Sequence, residues 1–374
     1  TISTSDNATS NTTTVTFTPS SAFEQKTYNA TLSTNVKDLD ANALASNYSW
    51  NYNIVNTQDY FVAGPSAIHS KDGTNWTDTG TSLGGEQSDV AYGNKKFVFV
   101  SGGTIKYTTD AVNWNTANIT LNNASDCRGL KSVTYGNNTW VAVGERIAWS
   151  SNGVDWTCKD MDENFYQYGV AFGNGKFVSI TSGGNTGEKH KYSTDGENWT
   201  NFYDNTAMLI PTNNPMGRVT YGGDKFVVVG SGISYSTDGI NWTDANHYFS
   251  NSTFNGVAYG NGIFVAITKH GKASSSSDGV NWNKVSSTAL VNTGASDAYP
   301  YNADLTYGNG LFVFVGYYRH SPATSFIWYS TDGSSWQSKS TDFGTGCMGG
   351  GTCNIGAVSG IAYGIVNISE YPAP

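Results

Sequence analysis

The sequence predicts an all-β protein: a seven-bladed β-propeller closed by its own C-terminal strand, with a shorter β segment in front of it. Three observations carry this expectation. A Ser/Thr-x-Asp-Gly-x-Asn-Trp type of hairpin recurs seven times, and a strand pair joined at Tyr-Gly alternates with it. The seven hairpin tryptophans, Trp76, Trp114, Trp156, Trp199, Trp242, Trp282 and Trp336, are about 43 residues apart on average, the length of one four-stranded blade.

Taken in chain order, the hairpins are IHSKDGTNWT (68–77), KYTTDAVNWN (106–115), AWSSNGVDWT (148–157), KYSTDGENWT (191–200), SYSTDGINWT (234–243), SSSSDGVNWN (274–283) and WYSTDGSSWQ (328–337). Asp-Gly supplies the turn between a blade's third and fourth strands, and the Asp carboxylate can cap that turn. The Tyr-Gly strand pairs are VAYGNKKFVFV (90–100), VTYGNNTWVAV (133–143), VAFGNGKFVSI (170–180), VTYGGDKFVVV (219–229), VAYGNGIFVAI (257–267) and LTYGNGLFVFV (305–315). Here the Gly after Tyr is expected to supply the tight turn between strands one and two. The first hairpin has an apolar strand, YFVAG, but no Tyr-Gly strand before it, while SGIAYG (359–364) near the C-terminus has no hairpin after it. The two halves complement each other, so a C-terminal strand completing the first blade closes the ring and removes its open edges.

These hairpins resemble the Asp-box repeats of sialidase-like β-propellers over about residues 60–364, through Asp72, Asp110, Asp195, Asp238, Asp278 and Asp332. The version here is one residue shorter than the usual box, Asn152 stands for Asp in the third copy and Ala111 for Gly in the second. The resemblance implies the propeller fold, with the boxes as structural turns remote from any catalytic centre.

Residues 1–57 lack the repeat and form a separate domain in front of the propeller at 58–374. Residues 12–54 resemble the C-terminal half of a bacterial Ig-like domain, through Val36, Lys37, Asp38, Leu39, Asn42, Ala43, Leu44, Ala45, Ser46, Tyr48, Trp50 and Tyr52. The resemblance implies a partial Ig-like β-sandwich whose opening strands are absent, which leaves strand edges unpaired. Three completions are open: strands in a longer precursor, a strand donated by a neighbouring copy to give a head-to-tail polymer, or packing on the propeller rim.

Composition narrows the partners. Charged residues make up 13% of the 374, against the usual ~25%, which excludes a coiled coil and a charge-driven disordered chain. With 20 basic and 29 acidic residues the net charge is −9, so neither nucleic acid nor an anionic membrane is an expected partner. No apolar run is long enough for a membrane span, and the opening Thr1-Ile2-Ser3 suggests a processed chain or a piece of a longer one. Solvation carried by Asn, Ser and Thr suits a secreted or cell-surface glycoprotein. Twelve sequons are candidates for glycosylation: Asn7, Asn11, Asn29, Asn47, Asn75, Asn118, Asn123, Asn137, Asn198, Asn241, Asn251 and Asn367. The four cysteines permit two disulfides, Cys127 with Cys158 across one repeat unit and Cys347 with Cys353 across a glycine-rich spacer. The histidines are scattered, so no metal site and no cofactor is expected.

In an up-and-down blade the loops between strands one and two and between three and four share one end of the propeller. Those are nearly uniform in length here. The insertions fall at the other end: 116–130, 157–168, 181–190, 200–217, 244–255, 284–303, 317–326 and 338–358. Variable loops on a rigid scaffold are where binding sits. The candidate binding residues at that end are Phe165, Tyr166, Tyr168, Phe202, Tyr203, Tyr248, Phe249, Tyr299, Tyr301, Tyr317, Tyr318 and Arg319, aromatic faces that could stack on sugars or grip a protein. The alternative is that the rings pin the loops down.

Enzymatic readings are weaker. A sialidase-like glycosidase would need three arginines, and the chain has four in all, of which only Arg128 and Arg319 fall plainly in variable loops. Asp160, Asp162 and Glu163 could be imagined as an acid/base pair or a calcium loop, but read more simply as a solvated acidic loop. The expected protein is an extracellular, non-catalytic one for attachment or assembly, with copies of itself or cell-surface glycans as partners. A carbohydrate-binding adhesin module and a sialidase-like enzyme are the alternatives.

Overall fold

The computed structural model describes residues 2–7, 12–17, 27–32, 43, 46–53, 57–85, 88–160, 166–181, 190–202, 217–249, 252–285, 300–318, 324–339 and 358–367. The chain divides into two units, Thr1–Gln58 with Asn367–Pro374, and Asp59–Val366. In the first, Ile2–Asn7 pairs antiparallel with Thr12–Phe17, and Thr27–Leu32 with Tyr48–Asn53, as two separate two-stranded sheets.

The second unit is a seven-bladed propeller. Blade one is Val358–Asn367, Thr57–Pro65, Ile68–Ser70 and Trp76–Asp78, so the C-terminal strand does complete the N-terminal blade. Blades two to seven follow in order, with inner strands Ser88–Gly93, Ser132–Gly136, Gln167–Gly173, Arg218–Gly222, Phe254–Gly260 and Pro300–Gly308, each leading outward through three further antiparallel strands. Among the described residues the buried apolar side chains fall into seven clusters, one between each pair of neighbouring blades. Blades two and three, for instance, share Val98, Val100 and Ile105 with Trp140, Ala142 and Trp156, and blades seven and one share Val313 and Val315 with Phe61 and Ile361. The apolar strands of the repeat pack on both faces, which is why they read as continuous runs instead of alternating ones.

The turns sort the repeat's residues differently from the sequence expectation. Between strands one and two the left-handed residues are the two after the Tyr-Gly glycine, such as Asn94 and Lys95, Asn137 and Asn138, or Asn174 and Gly175. The turn is therefore a two-residue primed turn made by that pair. The Tyr-Gly glycine ends the inner strand and serves a close approach instead. A methyl group at Gly93, Gly136, Gly173, Gly222, Gly260, Gly308 or Gly364 would overlap the ring of Tyr135, Phe172, Tyr221, Tyr259, Tyr307, Tyr363 or Tyr92 respectively, each on the next blade. Seven aromatic-on-glycine contacts thus run round the channel as a closed collar. Each ring also packs on an aromatic of its own blade, with Tyr135 and Trp140 centroids 4.9 Å apart and Tyr259 and Phe264 4.6 Å apart.

The aspartate turns behave as expected. In blade four Ser193 Oγ accepts from the N–H groups of Asp195 and Gly196 and donates to Asp195 Oδ1, which also accepts from the N–H groups of Glu197 and Asn198; Asn198 Nδ2 donates to Asp195 Oδ2 and Trp199 Nε1 to the Gly196 carbonyl. Asp72, Asp110, Asp238, Asp278 and Asp332 repeat the core of this network. Burial pushes Asp195 and Asp238 up, but the hydrogen bonds from backbone and side chains together outweigh it and hold both at about 2.

Blade three departs from the rule in a compensated way. Asn152 takes the Asp position, and the partner three residues on, Asn elsewhere, is Asp155: the pair is reversed, with Asn152 Nδ2 donating to Asp155 Oδ2 at 2.9 Å. Asp155 Oδ1 then accepts from Asn118 Nδ2 at 2.7 Å. Asn118 belongs to Asn118–Asn122, which the sequence placed in a loop but which pairs in parallel with Asp155–Asp160 as a fifth strand. The reversed pair turns a carboxylate outward to hold that strand. Asn152→Asp is expected to set two carboxylates against each other and lower the melting temperature, Asp155→Asn to loosen the fifth strand, and the double variant to recover most of the first loss. Calorimetry on the three variants checks this, and an additive double variant would contradict the pairing.

The Cys127–Cys158 disulfide ties the segment after the fifth strand to that same outer strand, with both cysteines buried beside Leu130 and Trp156. Closing a 31-residue separation contributes about 3–4 kcal/mol in the chain-entropy view. Cys347 and Cys353 lie outside the described residues.

Candidate binding site at the variable end of the channel

The inner strands present their edges to a central channel that holds a cavity of about 330 Å³. The residue before each Val-x-Tyr-Gly stretch stands at the channel mouth on the variable-loop end. Going round from blade one these are Gly360, Asp89, Ser132, Gly169, Arg218, Gly256 and Asp304. Glycine here allows close approach: a methyl at Gly169 would sit 2.8 Å from the Gly217 carbonyl. The charged members stand out against that background.

Asp89 Oδ1 accepts from the Val90 N–H, and its Oδ2 from Ser132 Oγ and the Val133 N–H. Ser132 Oγ accepts from the Val170 N–H. Asp304 Oδ1 accepts from the Leu305 N–H and Oδ2 from the Ile361 N–H of the closing strand. Arg218 reaches the closing strand too, with Nη2 donating to the Ser359 carbonyl at 3.3 Å, and its Nε stands 3.8 Å from Asp304 Oδ1. Burial pushes the Asp304 carboxyl up, the Arg218 guanidinium pulls it down and the Asp89 charge adds to the rise, which leaves it at about 6.

A carboxyl whose folded pKa lies above its unfolded value, ~3.9, binds its proton more tightly in the native state. Its contribution is therefore most favourable in acid and declines as pH rises from ~4 through about 6. The aspartate turns, whose pKa values are depressed, lose stability on the acid side of ~4. From these groups alone, thermal stability is expected to peak near pH ~4, where the two limbs meet. Asp304→Asn should flatten the decline above pH 4 without altering the acid limb. An unchanged alkaline limb in melting curves of the variant would contradict the assignment.

Beside the mouth, blade four carries a β-bulge at Tyr168, blade six an equivalent one at Asn255, and blade seven one at Tyr301, two residues further from its mouth residue, all at the same end of the inner strands. Bulges there re-aim a side chain out of the ladder. Lys131 Nζ lies 4.5 Å from the Tyr168 ring centre and 5.8 Å from that of Tyr166. Burial pushes the Lys131 ammonium down, with the nearby Glu145 opposing. Around the disulfide, Arg128 pairs with Asp126 and Glu145, and Arg146 with Asp160 and Asp126, so Asp160, with its side chain partly exposed, belongs to an ion-pair network. Asp162 and Glu163 lie outside the described residues.

The sequence-predicted aromatics separate into groups. Tyr166 and Tyr248 are the exposed ones, 45% and 67% accessible, and Tyr168 is half-buried against Lys131. Phe202, Phe249 and Tyr317 are buried, which corrects their expected place on an open face: Phe202 packs on His190, and Phe249 joins the cluster between blades five and six. Tyr301 and Tyr318 lie in strands Pro300–Gly308 and Leu311–Tyr318, and Phe165, Tyr203, Tyr299 and Arg319 lie outside the described residues.

Among the sequons, Asn75, Asn198 and Asn241 spend their amide on the turn aspartate and Asn118 on Asp155, while Asn47, Asn123 and Asn137 are exposed. Asn7, Asn29 and Asn367 lie in strands, and Asn11 and Asn251 lie outside the described residues.

Sequence reasoning missed Asp89, Arg218, Asp304 and Lys131. The signal was one column: aligning the inner strands puts Asp, Arg and Asp at a position that is otherwise Gly or Ser.

No family model matches the sequence, and no curated protein does. Among solved structures the chain is similar to a quinoprotein alcohol dehydrogenase-like protein from Bacteroides thetaiotaomicron, at 14% identity over 86% of this chain and 82% of that one, with a TM-score of 0.52. A structure described as YCF48 bound to D1 peptide aligns at 20% identity over 67% and 79% of the two chains with a TM-score of 0.48. YCF48 from Cyanidioschyzon merolae aligns at 15% over 68% and 88%, with 0.47. The first of these likenesses is one of fold, and it agrees with the propeller architecture.

Proposed function

We propose that this is an extracellular, non-catalytic propeller for attachment or assembly, which takes its partner on the variable-loop end. The observation that carries the reading is the difference between the two ends. One end is built from two turn types repeated round the ring, joined by contacts such as Asn174 Nδ2 to the Thr237 carbonyl and Lys176 Nζ to the Asp238 carbonyl. The other end carries the three bulges, the Lys131–Tyr168 stack, exposed Tyr166 and Tyr248, and the charged channel mouth. A buried disulfide suits an oxidising compartment. Partners in this reading are copies of the chain, through strand completion at residues 1–57, or cell-surface glycans.

The test is a glycan array run beside sedimentation of the full chain, with Tyr166→Ala and Tyr248→Ala variants and a chain lacking residues 1–57. Glycan binding lost in the tyrosine variants supports the adhesin form, and assembly lost in the shortened chain supports the subunit form. Neither binding nor assembly in the intact protein would overturn the reading, and turnover of sialosides would replace it with the enzyme. That enzyme reading draws little from the geometry, because Arg218 stands at the mouth while Arg128 and Arg146 are paired with carboxylates at the disulfide.

A further inference from the structure

The channel mouth follows a rule that two blades break. The leading residue of each inner Val-x-Tyr-Gly stretch needs an acceptor for its N–H at the mouth. The acceptor comes from the mouth residue of the preceding blade, as Asp89 serves Val133, Ser132 serves Val170 and Asp304 serves Ile361. Where the preceding blade has glycine, the strand's own aspartate serves instead: Asp89 for Val90 after Gly360, and Asp304 for Leu305 after Gly256. Each aspartate therefore bridges the N–H groups of two adjacent inner strands with its two oxygens.

At blades five and six the rule fails. Val219 follows Gly169, and its own mouth residue is Arg218; Val257 follows Arg218, and its own is Gly256. Neither glycine nor a guanidinium offers a side-chain acceptor. Among the described residues no side chain accepts from either N–H. A side chain at position 169 could not serve instead, because a Cβ there would lie 2.8 Å from the Gly217 carbonyl oxygen as well as 3.4 Å from the Val219 nitrogen. Beside it, Arg218 donates through Nη2 to the Ser359 carbonyl and pairs through Nε with Asp304 Oδ1 at 3.8 Å, so Nη1 is the guanidinium nitrogen left for a further acceptor among the described residues. The inner strand Arg218–Gly222 is half-exposed along its whole length, unlike its counterparts in the other blades, so the cavity lies open against it.

We propose that this break is a carboxylate-binding site: a ligand carboxylate bridges the Val219 and Val257 N–H groups as Asp89 and Asp304 bridge theirs, with the Arg218 guanidinium beside it. The chain supplies two such bridging carboxylates and leaves the third to a ligand. Hydrogen bonds to a charged acceptor are stronger than those to a neutral one, so the pair with Arg218 discriminates a carboxylate from a neutral group of the same shape. The source is either a small free carboxylate, for which about 330 Å³ is ample, or an acidic side chain on a polypeptide entering the mouth. This goes beyond the attachment reading and does not depend on it.

The test is a titration of the isotope-labelled full chain, followed through the amide signals of Val219 and Val257. The probes are acetate, acetamide, chloride and a capped peptide containing one glutamate. Saturable, concerted shifts of both signals with acetate, while the already capped Val133 and Ile361 stay still, are expected. The peptide arm then separates the sources: tighter binding than acetate identifies a polypeptide carboxylate, and weaker binding a small free one. Arg218→Asn places an uncharged acceptor at the mouth residue itself and should weaken acetate at least about tenfold. Should that variant fail to fold, Arg218→Lys, which keeps the charge but loses the planar fork, is expected to weaken acetate more modestly. No saturable shift with either carboxylate, or equal shifts with chloride or acetamide, would overturn the site.

Discussion

A chain ending at residue 357 is expected not to fold into a closed propeller. The closing strand Val358–Asn367 supplies Val358, Ile361, Ala362 and Val366 to the clusters on both faces of blade one, all buried. Withdrawing three large aliphatic side chains from their packing costs about 5–8 kcal/mol, as much as the whole net stability of many domains. It also bares the inner edge of Thr57–Pro65 and removes the partners of Ser88, Asp304 and Arg218 at the mouth. The shortened chain should bind a hydrophobic dye and lack a cooperative melting transition. A peptide of residues 355–370 added in trans should restore that transition if ring closure is the cause. A cooperative transition without the peptide would mean that six and three-quarter blades suffice.

The second large effect is expected at the aromatic collar. Gly136→Ala adds one methyl group, yet that methyl would overlap Phe172, which is itself pinned against Phe177 with centroids 4.7 Å apart. Relief requires blades three and four to separate, opening the cluster of Val141, Val143, Ile147, Val170 and Phe177. The cost is expected to exceed about 3 kcal/mol, the upper end for an added methylene in a packed core. Gly175→Ala is the informative control. Its glycine has a positive φ but open space around it, so only local strain of about 1 kcal/mol applies. Chemical denaturation of the two variants separates close approach from turn conformation as the reason for the conserved pattern within the repeat, and equal losses would contradict the collar.

Much of this architecture was legible in the sequence because the repeat states it seven times. The pairing of YFVAG with SGIAYG in one blade follows from counting halves, and the aspartate turns follow from local hydrogen-bond chemistry that needs no tertiary context. The role of the Tyr-Gly glycine was not legible, because the ring that excludes a side chain from Gly136 belongs to the next blade, some 36 residues on. Phe202, Phe249 and Tyr317 were misplaced for a related reason. An aromatic near a loop reads the same whether it faces solvent or turns back into a blade interface, and only packing decides. The fifth strand at Asn118–Asn122 does alternate, with Ile119 and Leu121 between polar residues, but over only five positions inside a stretch that varies between blades, too short a pattern to stand out from a loop. Its anchor is the reversed Asn152–Asp155 pair, visible in the sequence as two departures from the repeat whose connection is spatial.

The functional account stands on the claim that the two ends of the propeller do different work. Its most direct measurement is glycan binding by two variants of the intact protein, compared with the parent on the same array. One carries Tyr166→Ala with Tyr248→Ala at the variable end, the other Lys95→Glu with Lys225→Glu on the uniform end. The account predicts that partner binding falls at least about tenfold in the first and stays within about twofold in the second, with both folded. Loss confined to the uniform-end variant, or equal loss in both, would contradict it.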